Sequence, residues 1–180
     1  MESAVEILGA RRYRVKLNGQ FQPGWMAALC TGLGDRRLSI DQAHAVRGGD
    51  GGWQAQLELV ALAGASDPLN VPYVELARSA LSLPRAELQL SKQNVQPALH
   101  AGGALLVTLE ARDSLGLLGS LLASFAGLML FPIELQIETR NDRACDSFWL
   151  VGVGGSAPSA HARAALERML GSWMPLRARP

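Results

Sequence analysis

The segment RDSLGLL (112–118) places a carboxylate, Asp113, three residues before a glycine and a run of helix formers. Gly116 has no Cβ, so the backbone there can approach a ligand closely, and free N–H groups at a helix start favour an anion. An anionic group of a ligand would bind these N–H groups, and Asp113 would provide the counter-charge for a cationic one. The segment therefore predicts a small-molecule site at Asp113, Ser114, Leu115 and Gly116. One alternative stays open: Asp113 caps the helix and Gly116 only makes a tight turn.

A second segment, FQPGWMA (21–27), has the same glycine followed by apolar helix formers. Phe21 stands where the first segment has its acid, so any site here lacks the counter-charge. Gln22, Gly24 and Trp25 are its candidate ligand-binding residues. Trp25 suits a pocket wall, a dimer contact or simple core packing.

Both segments lie between a predicted strand and a predicted helix. In the first half, alternation and turn residues predict β-α-β-β-α-β, with Asp67 as a candidate N-cap. The predicted elements are a strand at 11–19, a helix at 23–34, strands at 38–48 and 52–62, a helix within 67–81 that starts after Pro72, and a strand at 86–96.

The second half repeats this order. It reads as strand 103–113, helix 115–129, strands 132–141 and 146–155, and helix 159–173 with Ser159 as its cap. Aligning the segments superposes Gly24 on Gly116, and one inserted residue then places IDQAHAVR (40–47) on IELQIETR (133–140). These repeats predict an α+β fold of two tandem ferredoxin-like (βαββαβ) units with antiparallel sheets, covering residues 1–99 and 100–180.

Residues 107–152 resemble the ACT domain. The resemblance rests on a strand ending in an acid, a D-x-x-G-L-L turn formed by Asp113, Gly116, Leu117 and Leu118, and a D-S-F motif at 146–148 that opens a later strand. The tandem arrangement is similar to the ACT repeats of uridylyltransferases and of the glycine-cleavage regulator family. The first repeat, 1–99, is the more divergent one.

The resemblance implies a non-catalytic regulatory protein. In such proteins the first strand–helix loop lies where two units meet and binds a small effector such as an amino acid, and an enzyme is the regulated partner. The helix at 115–129 carries more apolar residues than one face of an ordinary amphipathic helix, which favours a homodimer. Two alternatives remain: a small isomerase or cyclase with Asp41, His44 or Asp113 buried in an apolar pocket, and a pure protein-interaction module.

Composition excludes several other classes. The formal net charge is +1, so no overall field favours nucleic acid or an anionic membrane surface. Cys30 and Cys145 lie far apart and form no metal-ligand pattern with the histidines, and no catalytic or cofactor motif is present, so neither a metal nor a cofactor is expected. The N-terminus lacks a secretory pattern, which predicts a cytoplasmic protein.

Overall fold

The computed structural model describes residues 1–80, 88–98 and 101–175. Alternating apolar residues form the strands, and apolar residues at helical spacing form the helices. The elements are β1 (Glu2–Gly9), β2 (Arg12–Gly19), α1 (Trp25–Asp35), β3 (Leu38–Arg47), β4 (Trp53–Ala61), α2 (Tyr73–Arg78), β5 (Leu90–Pro97), β6 (Leu105–Arg112), α3 (Leu117–Gly127), β7 (Phe131–Arg140), β8 (Arg143–Val151) and α4 (Ala160–Ser172).

The strands form one antiparallel sheet in the order β1-β2-β4-β3-β7-β8-β6-β5. Strands β1 to β4 make one half of the sheet and β5 to β8 the other, and the two halves join through β3 and β7. The predicted α+β class with two ferredoxin-like units and antiparallel sheets is confirmed. None of the helices in the described ranges is long and apolar enough to cross a membrane.

The strand predicted at 86–96 was assigned to the first unit. This assignment was wrong, because the strand pairs within the second unit. Strand β5 pairs with β6, from Leu90 opposite Ala111 to Pro97 opposite Leu105, and so extends the second half of the sheet. The corresponding edge of the first half is β1, which was not predicted from the sequence and which pairs with β2. Each unit therefore runs ββαββα, and its edge strand precedes the helices instead of following them. Residues 86 and 87 and the predicted division between 99 and 100 lie outside the described residues.

The two halves repeat without an inserted residue from β2 to the middle of β3, in contrast to the predicted alignment. Arg37 and Met129 both have a φ of 56°, and the next residue, Leu38 or Leu130, is buried in both halves. An inserted residue would align buried Ala43 of the first half with exposed Gln136 of the second half. A one-residue slip turns every side chain to the other face of a sheet, so the uninterrupted alignment is the physically consistent one.

The remaining differences concern element ends. Asp67 accepts a hydrogen bond from the Leu69 N–H at 3.0 Å, but this caps a short 3₁₀ turn at Pro68–Asn70 before α2. Ser159 caps α4 as predicted, accepting from the Ala162 N–H at 3.1 Å. The predicted glycine-rich turn between β3 and β4 is also present.

All four helices contribute to one buried cluster with one face of the sheet, through residues such as Leu29, Leu76, Leu121 and Leu166. Most of the apolar residues of α3 are buried inside the chain, against the sheet and α1. The apolar residues of α3 that favoured a homodimer are thus mostly buried within one chain. The homodimer itself stays a prediction.

The two central helices approach each other at Gly119. A Cβ added there would lie 3.0 Å from the Thr31 hydroxyl oxygen and 3.1 Å from the Thr31 backbone nitrogen. At Gly127, in the same helix, an added Cβ would have no heavy atom of a neighbouring element within 4 Å. The close approach therefore requires glycine at one position and not at the other.

We expect Gly119→Ala to destabilise the protein by about 1–2 kcal/mol, because overpacking against the backbone outweighs the better helix propensity of alanine. Gly127→Ala is the matched control and should be neutral or stabilising by up to about 1 kcal/mol. Urea denaturation measures both free energies of unfolding. Equal effects of the two substitutions would contradict the close packing of α1 on α3.

Candidate functional site

Two clefts flank the β3–β7 joint, and each contains residues of both halves of the chain. The first, here the acidic cleft, has a volume of about 430 Å³ including its mouth. The second, here the aromatic cleft, has about 640 Å³ measured in the same way. The acidic cleft is lined by residues 113–119, Cys30, Gly34, residues 38–40, Ile137, Thr139, Ala144 and Asp146. The aromatic cleft is lined by residues 21–27, Arg47, Trp53, Leu122, Ala126, residues 131–133, Val151, Gly152, Gly154 and Gly155.

In the acidic cleft, α3 begins without a side-chain cap. Its N-cap is Gly116 in the left-handed conformation, with φ 86° and ψ −2°, and this residue makes no side-chain cap hydrogen bond. The alternative in which Asp113 caps this helix was wrong. The glycine is required because the left-handed conformation is unfavourable for residues with a Cβ. The Leu117 N–H donates to the Ser114 carbonyl at 3.1 Å, so the N–H groups that the first turn presents at the cleft, with their partial positive charge, are those of Leu118 and Gly119.

Asp146 is the most unusual group of this cleft. Its side chain points inward from β8, 3% of the residue is exposed, and its Oδ1 has no hydrogen-bond partner among the described residues. Burial and then the neighbouring charge of Asp113 raise the pKa of Asp146 to about 7, although the Glu138 backbone N–H donates a hydrogen bond to the carboxylate. A buried acid with an unsatisfied oxygen is destabilising on its own, so its presence requires an explanation.

Asp113 is the second acid of the cleft. Burial, the largest cause, raises its pKa, and the charges of Asp142 and Asp41 act in the same direction, while a backbone hydrogen bond from Ser114 opposes them. The Cys30 thiol is buried in the same wall, and burial raises its pKa, with a smaller contribution from Asp146. The cleft therefore combines two electrostatically coupled carboxylates with a thiol that stays protonated, an arrangement that favours a cation.

The aromatic cleft has the same backbone and different side chains. Its helix, α1, begins at Gly24 with φ 85° and ψ −3°, again without a side-chain cap. Phe21 stacks on Trp25 with ring centroids 4.4 Å apart, and Trp53 meets Trp25 edge-on at 5.4 Å. Trp25 is 4% exposed, so it is both a core residue and a cleft wall.

The predicted site residues thus fall into two separate clefts. Asp113, Ser114, Leu115 and Gly116 line the acidic cleft, and Gln22, Gly24 and Trp25 line the aromatic cleft. Ligand binding by these residues stays a prediction. Among the described residues, no cluster of three or more His, Cys, Asp and Glu side chains is suited to hold a metal ion.

The groups named for a catalytic alternative do not line one cleft. His44 lies on the open face of the sheet, where its side chain is 57% exposed and 3.6 Å from Glu134. Asp41 forms an ion pair with Arg12, and neither residue lines the acidic cleft. Of the three candidates, Asp113 is the one that lines the acidic cleft beside Asp146.

Sequence reasoning missed Asp146 as a site residue, although it noted the D-S-F motif. The signal was present: Ala144, Asp146, Phe148 and Leu150 share one face of an alternating strand, and the other three are apolar. An acid on the buried face of such a strand marks a functional candidate. The role of Trp53 in the aromatic cleft had no comparable signal, because its partner Trp25 is distant in the sequence.

Comparisons with known proteins support the fold alone. No family model and no curated protein matches the chain. Among solved structures, a crystal structure of aspartate kinase from Synechocystis is similar, with a TM-score of 0.54 and 14% sequence identity. The similarity covers 91% of this chain and 27% of that one, so this chain spans about a quarter of the neighbour. It is consistent with the ferredoxin-like units that the sequence repeats predicted.

Burial of Asp146 makes a pH-dependent prediction. The pKa of this acid is raised from 3.8 to about 7 in the folded protein, so the folded state binds the proton more tightly than the unfolded state does. The resulting contribution to the free energy of unfolding is complete below the unfolded pKa and is lost as pH rises through about 7. Ionising it in the folded protein costs on the order of 4 kcal/mol. We therefore expect Asp146→Asn to stabilise the protein by roughly 2–4 kcal/mol near pH 8, with little effect near pH 4.

Urea denaturation at both pH values measures this difference. Glu2→Gln, which removes an exposed carboxylate on β1, is the control and should change stability equally little at both. A stability change for Asp146→Asn that is the same at both pH values would show that Asp146 is not a strained acid.

Proposed function

We propose that this chain is an ACT-like regulatory module whose acidic cleft binds a small amino acid. The single observation that carries this proposal is the buried, unpartnered carboxylate of Asp146 beside Asp113. An ammonium group placed between the two acids would provide the missing hydrogen-bond donors and remove their mutual repulsion. Charge-assisted hydrogen bonds of this kind are the stronger class.

The other end of the cleft suits the carboxylate of the same ligand. The uncapped first turn of α3 presents backbone N–H groups and the positive end of the helix dipole. Leu38, Ile40 and Leu118 provide apolar lining between these polar regions. The two charged ends and the short apolar section match a zwitterionic amino acid with a small apolar side chain.

The position of the cleft supports regulation. Its walls come from the β6–α3 loop of the second half and from α1 and β3 of the first half. A bound molecule would add contacts across the joint of the two units and stabilise one arrangement of them. The regulated partner is then an enzyme, either in the same polypeptide or in another one; the similarity to part of an aspartate kinase is compatible with this role.

A second candidate, an interaction module, is favoured by the free edge at β1. Within the described residues this strand pairs on one side only, seven of its eight residues are exposed, and Ile7 is 61% exposed. Such an edge can pair with another strand. A second copy of the chain is the partner that the predicted homodimer would supply.

Light scattering of the wild type and of Ile7→Lys tests this second candidate. A dimer that is lost on substitution supports pairing through the edge of β1, and a monomeric wild type contradicts it.

We expect amino acids with small apolar side chains to raise the melting temperature, because they bind the native state. Isothermal titration calorimetry should show an affinity that increases from about pH 6 to about pH 8, since the ammonium requires ionised Asp146 and its pKa is about 7. Asp146→Asn and Asp113→Asn should each weaken binding by roughly tenfold or more. The matched keto acids, which lack the ammonium, should not bind.

Two substitutions at equivalent positions serve as a paired control. Gly34→Leu fills the acidic cleft, and Ala126→Leu fills the aromatic cleft at the corresponding turn of α3. Amino-acid binding should be lost in the first variant and kept in the second. Gly34→Ala tests folding, because its Cβ would meet only ordinary contacts at 3.7 Å or more. Binding that is unchanged in both aspartate variants, or no binding by any amino acid, would overturn the proposal.

A further inference from the structure

The two clefts occupy equivalent places in the repeat. The β3–β7 ladder runs from Gln42 opposite Glu138 to Val46 opposite Glu134, with His44 opposite Gln136 at its centre. This pairing is symmetrical about its central pair, so a pseudo-twofold axis passes through the joint. The axis relates the loop at 21–27 to the loop at 113–119, and thus relates the aromatic cleft to the acidic cleft.

Side chains at equivalent positions have changed their chemistry systematically. Phe21 occupies the position of Asp113, and Ala55 that of Asp146, so both acids are absent from the aromatic cleft. None of the described residues that line this cleft is acidic. An ammonium group would therefore find no counter-charge here, and the two clefts cannot select the same ligand by the same contacts.

Aromatic rings line the cleft where the acids are missing. Phe21 and Trp25 are nearly parallel, with an interplanar angle of 19°, and Trp53 closes the group at 69° to Trp25. Phe131 and Pro132 extend this lining from the second half of the chain. Trp25 and Trp53 are 4% and 6% exposed and so form the floor of the cleft. The half-buried Phe21 and Phe131 provide the accessible flat surface, which favours a flat apolar molecule.

One cation lies at the rim of this apolar lining. Arg47, at the end of β3, occupies the position of Thr139 in the acidic cleft, and no carboxylate among the described residues forms an ion pair with it. The uncapped start of α1 at Gly24 contributes partial positive charge to the same cleft. The electrostatic preference of the aromatic cleft is thus for an anion, opposite to that of the acidic cleft.

We propose that the aromatic cleft is a second binding site, which takes a flat apolar molecule carrying one carboxylate and no ammonium group. The ring system lies against the half-buried Phe21 and Phe131, and the carboxylate pairs with Arg47. The chain then binds two ligands of different chemical class at sites that share one fold position. The inference does not depend on the amino-acid site, because it uses only residues of the other cleft.

Isothermal titration calorimetry with 1-naphthaleneacetate tests this proposal on the full chain, with 1-naphthylmethylamine as the cationic analogue and naphthalene-1-methanol as the neutral one. We expect the carboxylate to bind most tightly and the amine not to bind to this cleft. Arg47→Gln should weaken 1-naphthaleneacetate binding by roughly tenfold. The matched control is Arg168→Gln, which removes an exposed cation on α4 and should have no effect.

Two further variants separate this site from the acidic cleft and from loss of folding. Phe21→Asp places an acid where the other cleft has Asp113 and should abolish binding of the carboxylate, whereas Phe21→Leu, which keeps an apolar residue, should weaken it less. Ala126→Leu should block the cleft, and Gly34→Leu should not. Circular dichroism verifies that each variant is folded.

Equal binding of the three naphthalene probes would overturn the anion preference. Binding that persists in folded Ala126→Leu would overturn the location. Failure of the amino-acid proposal would appear separately, as the absence of amino-acid binding in a protein that still binds 1-naphthaleneacetate.

Discussion

The five-residue ladder between β3 and β7 is the interaction on which the rest of the structure depends. It joins two four-stranded halves into one sheet and removes an exposed edge from each of them. It also brings α1 beside α3, where Gly119 allows the close approach to Thr31. Both clefts lie at this joint, so neither would exist in a unit by itself.

The repeat preserves backbone geometry and leaves the side chains free to change. Gly24 and Gly116 have φ and ψ values within a degree of one another, and Arg37 and Met129 share a left-handed turn. These positions set how the chain enters and leaves the central helices. The cleft walls carry no such constraint, since a ring or a carboxylate can extend from the same backbone. Equivalent positions have therefore become an aromatic group in one half and an acidic pair in the other.

Much of the fold could be predicted from the sequence, because alternation and turn glycines are local signals. Strand β1 was missed since its residues are mostly exposed and show no apolar alternation. The neighbour of β5 could not be predicted, because the pairing of a strand depends on contacts distant in sequence. The loop residues of both clefts followed from glycine and helix signals. Their separation into two clefts did not, as it depends on the antiparallel packing of α1 against α3.

Asp146 illustrates how a buried polar residue can oppose the stability of its own fold. An apolar residue on the same face of β8, like Phe148, would bury surface without an ionisation penalty. The acid lies inside the core, beside a second acid that makes its charge still less favourable. Such a conflict between local physics and fold stability is typical of functional positions.

The shared helices also connect the two clefts physically. Helix α1 contributes its first turn to the aromatic cleft and Gly34, near its end, to the acidic cleft. Helix α3 runs in the opposite direction and contributes its start to the acidic cleft and Ala126 to the aromatic one. A molecule in either cleft thus contacts both members of one tightly packed helix pair. Any displacement of α1 against α3 changes both clefts together, and thermodynamic linkage then requires that two occupants affect each other's affinity equally.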